Sequence, residues 1–215
     1  MIKPKYNYIV IEGNIGAGKT SLASMIAGQF HARLITERFA DNPFLPKFYS
    51  DPEKYSFPLE LSFLAERYRQ IREELTSPDL FSSFSVSDYY FMKSLIFASS
   101  TLGADEYSLY RQIFDIIYTT VPRPDIYVYL HADPLKLLEN IKNRGRDYEK
   151  TITAGYLKSI QDGYFSFFRQ NEDMKYLVLD INSIDFVNNR RDYENLLEHV
   201  FGAQWETGIN RVVLR

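Results

Sequence analysis

The chain has 215 residues, with 25 Lys and Arg against 28 Asp and Glu, a net charge of −3 and no cysteine. That balance carries no electrostatic footprint for nucleic acid, and without thiols there is neither a disulfide framework nor a thiolate metal site. The start, Met1-Ile2-Lys3-Pro4-Lys5, opens no apolar signal segment, and no apolar run reaches the roughly 18 residues of a membrane span, so a cytoplasmic chain with no membrane partner is expected. The length suits one domain, 1–215. With 17 Tyr and 16 Phe, aromatic rings serve core packing, and some can wall a pocket for a flat ring.

Tyr8-Ile9-Val10-Ile11 is a short, β-branched apolar run that reads as a strand. It feeds Gly13-Asn14-Ile15-Gly16-Ala17-Gly18-Lys19-Thr20, the G-x-x-x-x-G-K-[ST] pattern of a phosphate-binding loop. A glycine-rich turn lets successive N–H groups point inward on an anion, and the helix behind it adds its positive end. Leu22, Met25, Ile26 and Phe30 then recur at helical spacing, which completes the strand–loop–helix context and argues against a coincidental glycine turn. Arg33-Leu34-Ile35-Thr36 predicts a second strand ending at Glu37. Turns at Asp41-Asn42-Pro43 and Ser50-Asp51-Pro52 bracket a short helix. Apolar residues at 61, 64, 68, 71 and 75 predict a long helix from Leu59 to Leu75, ended by Thr76-Ser77-Pro78-Asp79.

Phe84-Ser85-Val86-Ser87 predicts a third strand with Asp88 at its end. Helices are expected from Tyr89 to Ser100 and from Glu106 to Val121, the second closed by Pro122 and Pro124. Ile126 to Leu130 is an inner strand, Pro134 to Asn143 a helix with Gly145 past its end, and Thr153 to Arg169 another helix. Tyr176 to Leu179 is the fifth strand and Arg191 to Phe201 the last helix. The 202–215 tail is unassigned, its Arg211-Val212-Val213-Leu214 open between an edge strand and disorder. Alternating strands and helices predict an α/β fold, a five-stranded, mostly parallel sheet with helices on both faces. Ligands of such sheets sit at the strand C-terminal ends, which directs attention to the glycine loop, Glu37, Asp88 and His131.

The chemistry follows from residue type. Lys19 supplies a compact charge for the outer phosphates and Thr20 a hydroxyl for Mg²⁺. Glu37 is placed to orient and deprotonate an acceptor hydroxyl, or else is a solvated strand end. Asp88 is placed to hold Mg²⁺, directly or through water, or to cap the helix after it. Arg144 and Arg146, on either side of Gly145, suit a lid whose guanidiniums clamp phosphate oxygens and stabilise the transition state. The alternative is a solvated helix end with basic groups near its negative pole. His31, His131 and His199 have no ligand spacing to one another, and no metal site of protein side chains alone is expected.

With those residues in place the chain resembles the deoxynucleoside kinase family, and its bacterial branch most closely. The resemblance runs to about Phe201. It rests on Ile11-Glu12-Gly13 through Thr20, Asn42-Pro43-Phe44-Leu45 with Phe48-Tyr49, Phe57-Pro58-Leu59-Glu60, Ile96-Phe97-Ala98 and the Arg144-Gly145-Arg146 to Glu149 segment. It implies a P-loop kinase fold and transfer of the γ-phosphate of ATP, with Mg²⁺, to the 5′-hydroxyl of a deoxynucleoside. It also implies a homodimer. Glu37 matches the general base, Tyr49 and Glu149 the groups that meet the 3′-hydroxyl, Arg144 and Arg146 the lid arginines. Asp88 matches the acid of a D/E-R-S motif near Mg²⁺.

This chain departs from the pattern at four places. The motif reads Asp88-Tyr89-Tyr90, without its arginine, and Asn140 stands where some members carry another. The loss predicts a raised Glu37 pKa, unless Arg38, Arg67 or Arg69 compensates. Glu60 stands where the family has a base-reading glutamine, and Ser94 leaves room for a larger base. An ionised carboxylate accepts two bonds from the N1–H and 2-amino group of guanine but faces a ring lone pair on adenine or cytosine, which predicts a purine preference with deoxyguanosine first. The rival readings are a thymidylate-type monophosphate kinase and a nucleotide-binding regulator that has lost catalysis.

Overall fold

The structure, a computed structural model, describes residues 5–38, 42–75 and 81–215. In chain order the elements are β1 (Tyr8–Gly13), α1 (Lys19–Phe30), β2 (Arg33–Ile35), α2 (Leu45–Ser50), α3 (Pro52–Leu75), β3 (Ser85–Ser87), α4 (Lys93–Thr101) and α5 (Ala104–Tyr118). There follow β4 (Ile126–His131), α6 (Pro134–Arg144), α7 (Ala154–Gln170), β5 (Lys175–Asp180), α8 (Arg190–Leu197) and β6 (Gly208–Val213). The strands form one sheet in the order β2-β3-β1-β4-β5-β6, parallel at every pairing.

Strand alternation sorts the side chains into two layers of different chemistry. Ile9 and Ile11 of β1, Ile126, Val128 and Leu130 of β4, and Leu177 and Leu179 of β5 face one way, against α1, α6 and α8. Tyr8 and Val10, Tyr127 and Tyr129, and Tyr176 and Val178 face the other, against α3, α4, α5 and α7. One layer is therefore mainly aliphatic and the other aromatic. Tyr129 lies 4.9 Å from Tyr164 and Tyr176 lies 4.3 Å from Phe168, centroid to centroid, within the range of favourable ring contacts. The core thus takes up much of the aromatic content.

The strand order reverses at β1, with β3 on one side and β4 on the other. The crevice at such a switch point is the standard ligand position. The glycine loop, Glu37 and Asp88 all follow the C-terminal ends of β1, β2 and β3.

Three elements differ from expectation. The sheet has six strands, not five, because the 208–213 segment pairs parallel to β5 and buries Leu214 against the aliphatic layer. α3 begins at Pro52, with Pro58 inside it; the proline removes one amide donor, but Leu59 and Glu60 are buried just beyond and hold the helix. α4 begins at Lys93, not Tyr89, because the preceding backbone is committed elsewhere. Tyr90 N–H donates to Glu12 Oε1 at 2.9 Å, and the Tyr89 carbonyl accepts from Ser87 Oγ at 2.7 Å. The predicted turns at Asp41 and at 76–79 fall outside the described residues. Among the described residues no helix is long and apolar enough to cross a membrane.

Candidate active site

The loop after β1 wraps the start of α1. Gly16 and Gly18 have φ of +83° and +85°, where a side chain is strained. A Cβ would also lie 2.8 Å from Leu137 O at Gly16 and 2.8 Å from Phe186 Cζ at Gly18. Gly18 is the N-cap of α1, so the helix presents unpaired amides to the cavity in front of it. Asn140 Nδ2 donates to Gly16 O at 2.9 Å and braces the loop from α6, so the residue that replaces an arginine is a positioning group here. Lys19 Nζ donates to Asn14 O at 2.9 Å. Burial lowers the Lys19 ammonium to about 8, with the Lys93 charge adding to the effect, against the carboxylates of Glu12, Glu37 and Asp88.

Asp88 ties the ends of β2 and β3 to the first turn of α1. Its carboxylate accepts from the Thr20 hydroxyl and from the Glu37 N–H at 2.7 Å, while its own N–H donates to Ile35 O at 3.1 Å. It does not cap α4, which starts five residues later. Nor is Glu37 solvated. Oε1 accepts from Arg67 Nε at 2.9 Å and Nη2 at 2.5 Å, and Oε2 from Lys93 Nζ at 2.5 Å; the three side chains are 10%, 4% and 8% exposed.

The rise predicted for Glu37 in the absence of a compensating arginine does not occur, because Arg67 compensates. Burial pushes its carboxyl up, but Lys93 and Arg67 more than reverse this and hold it at about 2. Of the three arginines considered, Arg67 is the one present. Arg38 pairs with Glu74 at 3.1 Å and Arg69 with Glu66 at 2.6 Å. Lys93 was missed, although it is the one charged residue in the otherwise uncharged stretch from Tyr89 to Ser100. Ser94 stands behind Arg67 and accepts from its Nη1 at 2.7 Å, fully buried and off the cavity wall.

The segment between α6 and α7 lies folded over the site. Gly145 ends α6 in the left-handed region, and residues 147–149 make one 3₁₀ turn. Arg144 Nη2 lies 2.6 Å from both Glu149 oxygens and Arg146 Nη1 3.3 Å from Oε1, so both predicted phosphate ligands converge on the buried Glu149. The Tyr148 ring stacks on Tyr49 at 5.9 Å. Glu60 lies deeper. Its Oε1 accepts from Thr101 Oγ1 at 3.0 Å, and its Oε2 has no hydrogen-bond partner among the described residues. Burial raises its carboxyl to about 7, against the pull of Arg67.

Two cavities meet here. The outer, about 980 Å³, lies before the glycine loop and extends along the segment after β5, Ile181 to Asn188. The inner, about 120 Å³, is lined by Tyr49, Glu60, Phe97, Tyr148, Glu149 and Tyr156 among others. Lys19, Thr20, Glu37, Asp88, Arg144 and Arg146 belong to both walls. The segment after β5 was not foreseen, yet it follows the same strand-end logic. Lys136 Nζ fastens it, donating to the carbonyls of Ile181, Asn182 and Ile184 at 2.6, 2.8 and 3.1 Å. His131, also at a strand end, is outside both walls and meets Gln161 Nε2 at 2.9 Å. Among the described residues no three His, Asp or Glu side chains gather as a metal site.

Known proteins place this arrangement. The sequence profile described as deoxynucleoside kinase matches residues 9–203. Deoxyguanosine kinase of Bacillus subtilis is 36% identical over 199 residues, covering 90% of this chain and 95% of the relative. Deoxyadenosine/deoxycytidine kinase of the same organism is 28% identical over 204 residues, covering 92% and 93%. Among solved structures, deoxyadenosine kinase from M. mycoides superposes with a TM-score of 0.78 at 23% identity, over 91% of this chain and all of that one, and shares the fold. A profile match over nearly the whole chain and a relative 36% identical along nearly its full length make this protein a member of the deoxynucleoside kinase family, enzymes that move a phosphoryl group from ATP to a deoxynucleoside.

Proposed function

We propose that the chain phosphorylates the 5′-hydroxyl of purine deoxynucleosides, deoxyguanosine first, with ATP in the outer cavity and the nucleoside in the inner one. The observation that carries this reading is the shared wall. The six residues common to both cavities are those whose chemistry suits a phosphoryl group in flight: a lysine, two arginines, two oxygen ligands and a carboxylate base. In the mechanism, the loop amides and Lys19 hold the outer phosphates, exchanging the Asn14 carbonyl for a phosphate oxygen. Glu37 accepts the 5′-hydroxyl proton as that oxygen attacks in line. Tyr49 and Glu149 meet the 3′-hydroxyl.

The inner cavity is below the roughly 300–1,000 Å³ of small-molecule pockets, so the 145–149 segment lifts to admit a nucleoside and closes over it. On closure Arg144 and Arg146 exchange Glu149 for phosphate oxygens. The adjacent Thr20 hydroxyl and Asp88 carboxylate are hard oxygen donors of the kind Mg²⁺ takes beside phosphate and water, and they would hold it. When bound, Mg²⁺ supplies charge neutralisation to the phosphates.

The base preference rests on Glu60, whose unpartnered Oε2 and ready ionisation suit the two donors of guanine. The relative at 36% identity, a deoxyguanosine kinase, supports the same preference. The small Ser94 lets Arg67 reach Glu37. A homodimer is supported by α5, which exposes Leu109 and Ile116 on one face. The test offers ATP, Mg²⁺ and equal amounts of the four deoxynucleosides, with products read by mass. Deoxyguanosine monophosphate is expected to form first and pyrimidine products last. Phosphorylation of added monophosphates alone would replace this reading with a monophosphate kinase, and ATP binding without transfer would replace it with a regulator.

A further inference from the structure

We propose that Lys93 is a catalytic cation of the transfer step, one that holds Glu37 at rest and turns its ammonium to the transferring phosphoryl group once both substrates are bound. The proposal rests on the kinase reading above. Its starting point is a mismatch of charge. Arg67 by itself satisfies Glu37 Oε1 with two bonds, yet a second buried cation, Lys93, occupies Oε2 at 2.5 Å. Glu37 is the carboxylate that both cations bond; Glu12 and Glu60 also feel the Lys93 charge, but burial raises both toward the neutral acid, so the cluster keeps positive charge in excess. An excess charge kept out of water is costly unless an anion joins it. Lys93 lines the inner cavity together with Lys19 and Thr20, where the outer phosphate would arrive, and its charge acts on Lys19 itself.

The two cations differ in freedom. Arg67 is a planar fork fixed at Glu37 and, through Nη1, at Ser94. Among the described residues Lys93 makes one hydrogen bond, to Glu37, and its ammonium stands 5.3 Å from the Phe97 ring centre. A lysine stem can swing a compact charge from one oxygen to another, which a doubly anchored guanidinium cannot. The move also answers a requirement of the reaction. Oε2 keeps one acceptor site while Lys93 donates to it, but the ammonium in contact makes the carboxylate a weak base. Departure of Lys93 clears Oε2 and strengthens it as a proton acceptor. The 5′-hydroxyl proton then passes to Oε2, the O5′–Pγ bond forms, the bond from Pγ to the bridging oxygen breaks, and ADP leaves with that electron pair. Lys93 remains protonated throughout, and its charge offsets that on the phosphoryl oxygens.

The experiment compares wild type, Lys93→Met, Lys93→Arg and Lys93→Ala with deoxyguanosine and ATP, with ATP-dependent thermal protection confirming an intact nucleotide site in each. Lys93→Met is expected to lose about a hundredfold or more in kcat, the scale of one transition-state donor, with KM for either substrate within about threefold. Lys93→Arg is expected to recover part of the loss. Lys93→Ala is expected to regain kcat with added ethylammonium but not with tetramethylammonium, which has no N–H to donate; a structural gap would not discriminate between them. A kcat for Lys93→Met within about threefold of wild type overturns the proposal, as does a Lys93→Ala loss that ethylammonium leaves unchanged. Failure of the kinase reading is separately visible, because wild type would then form no monophosphate.

Discussion

Glu37 and Glu60 are buried carboxylates on the wall of one cavity, and their surroundings push them in opposite directions. Burial raises both. At Glu37 two cations in direct contact reverse it and hold the group at about 2. At Glu60 the Arg67 charge acts from farther away and a single hydroxyl donates, so burial prevails and the group sits near 7. Contact with cations, not depth, decides the charge state. Two carboxylates driven apart in this way are ready for different tasks. Glu37 is ionised and oriented before any substrate arrives. On the proposed function, Glu60 would complete its ionisation when donors on the base reach it.

The sharpest way to break this division is at Glu37. Glu37→Gln keeps the shape and removes the proton acceptor, so kcat should fall by about 10²–10⁴-fold. It also leaves Arg67 and Lys93 buried without their anion, which costs about 3–5 kcal/mol of stability. Steady-state kinetics read beside ATP binding and thermal unfolding separate the two effects. A variant that still binds ATP yet turns over within about tenfold of wild type would remove Glu37 as the base.

Glu60→Gln tests the other half, with a smaller effect. Replacing an ionised acceptor by an amide exchanges a charge-assisted bond for a neutral one, roughly 1.5–3 kcal/mol against about 1. Selectivity for deoxyguanosine over deoxyadenosine should drop about tenfold in kcat/KM, with kcat for the remaining substrates little changed. An unchanged ratio in the competition assay would sever Glu60 from base choice.

The two carboxylates also show what a sequence discloses. The glycine loop, the strand-end positions of Glu37 and Asp88 and the arginine pair around Gly145 were legible because their signals are local: a contiguous pattern, two strand ends, two arginines around a glycine. The charge state of Glu37 was not, because its partners come from 30 and 56 positions away and spacing cannot choose Arg67 over Arg38 or Arg69. The start of α4 was hidden for the same reason, since Glu12, 78 positions back, takes the Tyr90 amide. The sixth strand carried an apolar run but no turn to fix its partner, and only the exposed side of β5 determines where it docks. The segment after β5 was not legible either, since it owes its place to Lys136, a residue with no motif of its own.

The smallest effect separates the two carboxylates by pH alone. Glu37, held below its ordinary range, stabilises the fold above about pH 4.5, and that contribution is lost as pH falls toward 2. Glu60, held above its range, does the reverse. Its protonated form is the one the fold prefers, so its contribution is complete below about pH 4.5 and is lost as pH rises through about 7. The cost at pH 8 is at most about 3 kcal/mol, the free-energy equivalent of the shift. Glu60→Gln removes that cost. In the absence of nucleoside the variant should unfold several degrees above wild type at pH 8 and close to it at pH 5, because a neutral amide resembles the protonated acid. Guanine binding should narrow the gap, since its donors stabilise the Glu60 carboxylate more than the amide. Melting curves at the two pH values, with and without deoxyguanosine, read all four corners. An equal shift at pH 5 and pH 8 would mean that Glu60 is already ionised in the free protein, and the contrast with Glu37 would then reduce to hydrogen bonding.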